Sequence, residues 1–233
     1  MYAKKTAALL SVLGLLSLPA LILSQEAKEP RMVATPAMAA PSDAIVLFDG
    51  KNLEQWQTED GQLAQWKVEN GVMTVTDGNI VTRKSFGDMQ LHLEFASPNP
   101  PKGEGQDRGN SGVYVMDRYE VQVLDSYNNP TYIDGMLGAV YKIAPPLVNA
   151  CRKPGEWQTY DIIVRAPRFD ADGKKIQDAN ITVLLNGVLV QDHLDVPAPT
   201  GGRENDPEQA TGPILLQDHH HPVKYRNIWV REL

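Results

Sequence analysis

The chain has 233 residues, 22 of them basic and 29 acidic, for a formal net charge of −7. Such a balance repels phosphate backbones, which excludes nucleic acid as an expected partner. A single cysteine, Cys151, excludes a disulfide scaffold, so stability must come from an apolar core.

Lys4 and Lys5 precede an uncharged apolar stretch from Thr6 to Leu23. That is the layout of a secretory signal peptide, expected over residues 1–25. Residues 26–42 are rich in Ala, Pro and Met without apolar periodicity, and are expected to be a disordered tether. The expected compartment is periplasmic or extracellular, with no stable membrane span after processing. The folded domain is expected over 43–233. Without the few charges of the first 42 positions its net charge is about −9.

The domain reads as short strands separated by Gly, Pro, Asn and Asp. Ile45–Phe48 ends at Asp49-Gly50, and residues 52–57 suit a helical turn. Trp66–Glu69 and Val72–Thr76 flank Asn70-Gly71, a strong hairpin signal. Met89–Ala96 alternates, with Leu91, Leu93 and Phe95 on one face and His92 and Glu94 on the other. Gly112–Met116 and Tyr119–Leu124 are joined by Asp117-Arg118. Then come Tyr160–Ala166, Ile181–Leu185 and Val188–Gln191, the last two around Asn186-Gly187. Ile214–Gln217 and Val223–Arg231 close the chain. This pattern, with no amphipathic helix, predicts an all-β, two-sheet antiparallel sandwich. Three long loops, Ser97–Asn110, Ser126–Gly138 and Val196–Gly212, are expected to carry function.

Along Tyr119–Leu124, alternation sends Tyr119, Val121 and Val123 to the core and Arg118, Glu120 and Gln122 to the other face. A carboxylate and an amide in one row suit sugar hydroxyls, which donate and accept. A solvated strand face would look the same. Gly109-Asn110-Ser111-Gly112, after Asp107-Arg108, reads as a binding turn or an ordinary strand entry. Gln217-Asp218-His219-His220-His221 offers His219 as an acid–base group and His220 and His221 as candidate ligands for a divalent metal. No cofactor is required by any motif. In the last strand, alternation groups Lys224, Arg226 and Ile228 against Tyr225, Asn227 and Trp229.

Eight segments in order carry a resemblance: Leu47–Leu53 with Trp56, Gly109–Tyr114, Tyr119–Asp125, Gly138–Tyr141, Lys153–Trp157, Leu185–Gly187, Gly212–His219 and Tyr225–Trp229. Together they resemble the 3-keto-disaccharide hydrolase domain family over roughly Ile45 to Leu233. The resemblance implies a concanavalin-like jelly roll, export, and sugars oxidised at C3 as ligands. Where the family commonly has Gly after Gln-Asp-His, this chain has His220. A 3-keto group acidifies the C2 hydrogen, so a base can form an enolate that expels the C1 substituent, after which water adds. Glu120 and His219 are the expected acid–base pair. Gln122, Asn110 and Gln217 are expected to hold hydroxyls. Asp125 is expected to bind sugar or orient a partner, and Arg226 or Arg108 to stabilise the enolate. A two-carboxylate glycosidase and a non-catalytic carbohydrate-binding module are the competing expectations.

Overall fold

The computed structural model describes Met32, Ala34, Thr35 and Ala39–Leu233. The expected signal peptide and most of the expected tether lie outside these residues. Among the described residues no helix is long and apolar enough to cross a membrane.

The expected sandwich is present: nearly all regular structure is antiparallel strand. The strands are β1 (Ile45–Phe48), β2 (Trp56–Thr58), β3 (Lys67–Glu69), β4 (Val72–Thr74), β5 (Ile80–Thr82), β6 (Met89–Ala96), β7 (Ser111–Val115), β8 (Tyr119–Val123), β9 (Gln158–Arg165), β10 (Arg168–Phe169), β11 (Lys175–Gln177), β12 (Ala179–Leu185), β13 (Val188–Val196), β14 (Leu215–Leu216) and β15 (Lys224–Glu232). An eight-stranded sheet runs β13-β12-β9-β6-β15-β4-β3, with β1 also on β15; a five-stranded sheet runs β2-β5-β14-β7-β8. A separate two-stranded ribbon joins β10 and β11.

Alternation packs the sheets face to face. Met89, Leu91, Leu93 and Phe95 of β6 and Tyr160, Ile162 and Val164 of β9 meet Val113, Val115, Tyr119, Val121 and Val123, all buried in one core. Two core tyrosines then tie the sheets together. Tyr160 Oη donates to the Gln122 carbonyl at 2.6 Å. Tyr225 Oη and Ser111 Oγ lie 2.7 Å apart, and Ser111 Oγ also donates to the Gln217 carbonyl at 2.6 Å. Buried polar groups require such partners, so the larger sheet holds the strand backbones of the smaller one in place.

One local expectation is met over Leu53–Trp56, and another needs correction. Residues 52–57 hold a single turn, closed by Trp56 N–H to Leu53 O at 2.8 Å, and then enter β2. In β15 strict alternation fails. Asn227 takes φ +48° and the register against β6 slips between Arg226 and Trp229. This bulge turns Ile228 into the core and Trp229 onto the outer face, where it stacks on His92 at 4.8 Å between centroids.

Candidate functional site

The site lies on the outer face of the five-stranded sheet. Register places Tyr114 opposite Glu120 and Gly112 opposite Gln122. Because the intervening residues fill the core, these four share the outer face. That face is not left open. Residues 138–141 extend the sheet beyond β8: Gln122 N–H donates to Ala139 O at 2.9 Å, and Tyr141 N–H to Glu120 O at 3.0 Å. Thr200, from the long 196–212 loop, accepts the Glu120 N–H on its hydroxyl at 2.9 Å. Gln217, just past β14, donates its N–H to Gly112 O at 3.0 Å. The pocket they outline has a volume of about 210 Å³. Asn110, Tyr114, Glu120, Gln122, Tyr141, Gln217 and His219 line it, together with Gly201 and Gly202.

Glu120 is 3% exposed, and among the described residues no Lys or Arg lines the pocket. Burial pushes its carboxyl up to about 8; the Tyr114 hydrogen bond pulls the other way and the charge of Glu204 adds to the rise. Tyr114 Oη donates to Gly201 O at 2.8 Å and receives Gln217 Nε2 at 3.0 Å. Burial and then the Glu120 charge hold this phenol far above its ordinary range. Gly201, at φ +66°, is required on two counts: a side chain there would be strained and would collide with Glu120 Oε2 and Tyr114 Oη.

The amides form contacts of their own in the pocket. Gln122 Nε2 donates to Asn110 Oδ1 at 3.1 Å, and Asn110 Nδ2 donates to the Gln106 carbonyl at 2.9 Å. Gln122 Oε1 and Gln217 Oε1 are buried without a hydrogen-bond partner among the described residues. A buried acceptor in that condition is costly, and a ligand hydroxyl would relieve it.

Asp218 shapes the turn that presents His219. Its carboxylate accepts the N–H of Gly78 at 2.9 Å and of His220 at 2.7 Å, while its own N–H donates to Asn79 Oδ1 at 2.9 Å. His220 sits at φ +64°. The turn needs a left-handed residue there, a conformation that glycine adopts without strain.

Glu120, His219, Asn110, Gln122 and Gln217 therefore converge. Arg108, Asp125 and Arg226 do not. Arg108 Nε lies 2.9 Å from Asp125 Oδ2, a charge contact too bent to be a hydrogen bond, and Arg108 also donates to the Tyr127 carbonyl. The pair lines a neighbouring cleft, not the pocket. Arg226 belongs to the other sheet, bound to Glu94 at 2.6 Å and 4.0 Å from the Trp157 ring centroid. His220 and His221 also face the neighbouring cleft. His221 Nε2 is 3.3 Å from Asp107 Oδ1; burial lowers its pKa, with Asp107 opposing. Among the described residues no group of three or more His, Cys, Asp or Glu is placed to hold a metal ion.

Tyr114, Tyr141 and Gly201 escaped the sequence reading. Tyr114 was accessible in principle, since hairpin register sets it against Glu120. Tyr141 and Gly201 arrive through loop contacts that carry no periodic signal.

The chain that folds this way belongs to a defined family. The family model described as the 3-keto-alpha-glucoside-1,2-lyase-like domain matches residues 43–231, and the chain is a member of that family. Among solved structures, it is similar to a glycosyl hydrolase candidate from Parabacteroides distasonis ATCC 8503, at 46% identity and TM-score 0.83, covering 90% of this chain and 95% of that one. A second such protein from the same organism shares 19% identity at TM-score 0.63, covering 82% of this chain and 94% of that one, a likeness of fold. No curated protein matches the sequence.

Proposed function

We propose that this protein cleaves glycosides oxidised at C3, by elimination across C1–C2 followed by addition of water. The observation that carries the proposal is a buried carboxyl without a cation, sharing a small polar pocket with an imidazole. Family membership and the likeness to a glycosyl hydrolase candidate support sugar chemistry.

In this scheme Glu120 takes the C2 proton. A carboxylate raised to about 8 is a stronger base than an ordinary one and matches an operating pH near neutral. The C2–H electrons pass into a C2–C3 enolate. As that collapses, C3=O re-forms, C1=C2 forms and the C1–O bond breaks. His219, which lines the same pocket, gives a proton to the departing oxygen. Water then adds at C1, completing net hydrolysis. The enolate oxygen needs a donor, and neither Arg108 nor Arg226 lines the pocket. Tyr141 suits the role: its Oη is 2.7 Å from Tyr132 Oη, so Tyr132 can donate to it and leave its own proton for the substrate. The free acceptors on Gln122 and Gln217 would take sugar hydroxyls. A two-carboxylate route has less support, because among the described residues Glu120 is the sole carboxylate lining the pocket.

Incubation with 3-keto-glucosides in deuterated water tests the scheme. Released aglycone and deuterium at C2 of the keto sugar are expected. Protium alone at C2 would reject elimination. Tight binding of an unoxidised glycan with no turnover of any keto glycoside would make this a binding module. We further propose export, supported by the Lys4-Lys5 start and the apolar run; a mature protein retaining Met1 by mass spectrometry would count against it.

A further inference from the structure

Glu120 and His219 stand on two separate walls of the pocket. The 196–212 loop covers Glu120: Thr200 accepts its N–H at 2.9 Å and Gly201 lies against its carboxyl. The turn shaped by Asp218 presents His219. One side chain outside the pocket, Glu59, is bonded toward both walls. Thr58 of β2 pairs with Ile80 of β5, so the next step of the register brings Glu59 opposite Asn79. Ile80 fills the core, which leaves Asn79 and Glu59 on the outer face. There Glu59 Oε1 accepts from Arg203 Nη2 at 2.5 Å and Oε2 accepts from Asn79 Nδ2 at 2.8 Å. Asn79 Oδ1 in turn accepts the Asp218 N–H at 2.9 Å.

Arg203 is built into the same turn as Gly201. Its N–H donates to Thr200 O at 3.2 Å, and its own carbonyl accepts the Asp206 N–H at 2.8 Å. Its guanidinium has a second anion nearby, Asp117 Oδ1 at 2.9 Å, but that oxygen is buried without a hydrogen bond among the described residues, so the contact is one of charge alone. Glu59 is the carboxylate to which Arg203 is hydrogen-bonded. The Glu59 side chain is 43% exposed, and ion pairs so open to water add little to stability. Geometry is where such a bridge counts. A shift of about 1 Å between reacting groups can cost about a hundredfold in rate.

We propose that Glu59 is a positioning residue, which fixes the wall carrying Glu120 relative to the wall carrying His219, through Arg203 on one side and through Asn79 and Asp218 on the other. The inference rests on the roles proposed above for Glu120 and His219. Glu59 itself touches neither the pocket nor the substrate; it acts by keeping two segments distant in sequence at one separation.

The test reads each wall from the other and needs no substrate. Asn79→Ala loosens the His219 wall; by NMR it should lower the pH at which the Glu120 carboxyl titrates, from about 8 toward its ordinary 4.5, as water gains access. The groups around that carboxyl, Tyr114, Tyr141, His219 and the charge of Glu204, are the same in both proteins. Arg203→Met loosens the Glu120 wall and should move the His219 ring resonances. Both cross effects should vanish in a Glu59→Ala background, the signature of coupling through one residue. Cross effects that are absent, or that persist without Glu59, would overturn the proposal and leave the proposed function standing. With a methyl 3-keto-glucoside, Glu59→Ala should lower kcat on the order of tenfold with KM within a few fold, and Glu59→Gln, which keeps an acceptor for Asn79, should recover part of it. Glu69→Ala, which removes an exposed pair with Lys67 at 2.8 Å, should leave the rate unchanged. A lower urea midpoint in Glu59→Ala with kcat and both NMR signals unmoved would make Glu59 merely structural and overturn the proposal. Should the cross effects appear while no keto glycoside is turned over, the bridge stands and the proposed function fails separately.

Discussion

The outer faces of the two sheets carry nearly the same residue types to opposite ends. On the eight-stranded sheet Glu94 is bound by Arg226 at 2.6 Å and by Asn227 Nδ2 at 2.9 Å, and His92 Nδ1 meets Asp161 at 2.8 Å. Burial raises the Glu94 pKa, but the Asn227 and Arg226 hydrogen bonds outweigh it and the net shift is downward. On the five-stranded sheet Glu120 has a tyrosine and no cation, and burial prevails. The lesson is that a Glu beside a His is not a site by itself. Chemistry needs the carboxyl to be sealed by loops and left without a counter-charge, because only then does it hold a proton that it can exchange near neutral pH.

The largest expected contrast is in rate. Glu120→Gln should lower turnover by about 10²–10⁴ while Glu94→Gln leaves it within a few fold, read by steady-state release of aglycone. Equal losses would erase the distinction between the faces. With Glu120 as base, kcat/KM should rise with pH toward about 8, a limb that Glu94→Gln should keep. A rate that instead falls through that pH would make Glu120 the acid.

Stability should respond to pH with opposite signs on the two faces. The folded pKa of Glu120 lies above its ordinary 4.5, so the unfolded chain loses that proton first. Its contribution is full below 4.5 and declines as pH rises toward about 8, by an amount on the order of a few kcal/mol. Glu94 is shifted downward, so its contribution is present above 4.5 and is lost as pH falls through its lowered pKa. Urea unfolding across pH should therefore flatten in Glu120→Gln on the alkaline side and in Glu94→Gln on the acid side. The Glu94 effect should be about 1 kcal/mol, since solvent screens its partly exposed pair.

Gly201→Ala should displace Glu120 and Tyr114 and slow turnover by roughly ten- to a hundredfold, with little change on the far sheet. Wild-type rates in that variant would mean the loop yields freely. The smallest effect expected is His220→Gly. Relief of φ +64° should stabilise the protein by a few tenths to about 1 kcal/mol, seen as a raised urea midpoint with unchanged slope.

Much of this molecule follows from local rules. Alternation along Met89–Ala96 and Tyr119–Val123, and the Asn70-Gly71 and Asn186-Gly187 turns, determine strands and their inward faces, because side-chain period and turn dihedrals are properties of a few adjacent residues. The same parity sets Glu120 and Gln122 on one face. Local rules end where one residue breaks the period. The bulge at Asn227 reversed the assignment of Ile228 and Trp229, and no sequence count reveals which strand will slip. Nor does parity say which sheet a polar row belongs to. Arg226 looked as suitable as Gln217 until β15 joined the eight-stranded sheet and β14 the other. Tyr141 and Gly201 reach Glu120 from segments distant in sequence, through backbone pairing at an edge strand and a loop fitted over it. The raised pKa of Glu120 is likewise a tertiary property, since it depends on what surrounds the carboxyl after folding and on nothing in the residues beside it.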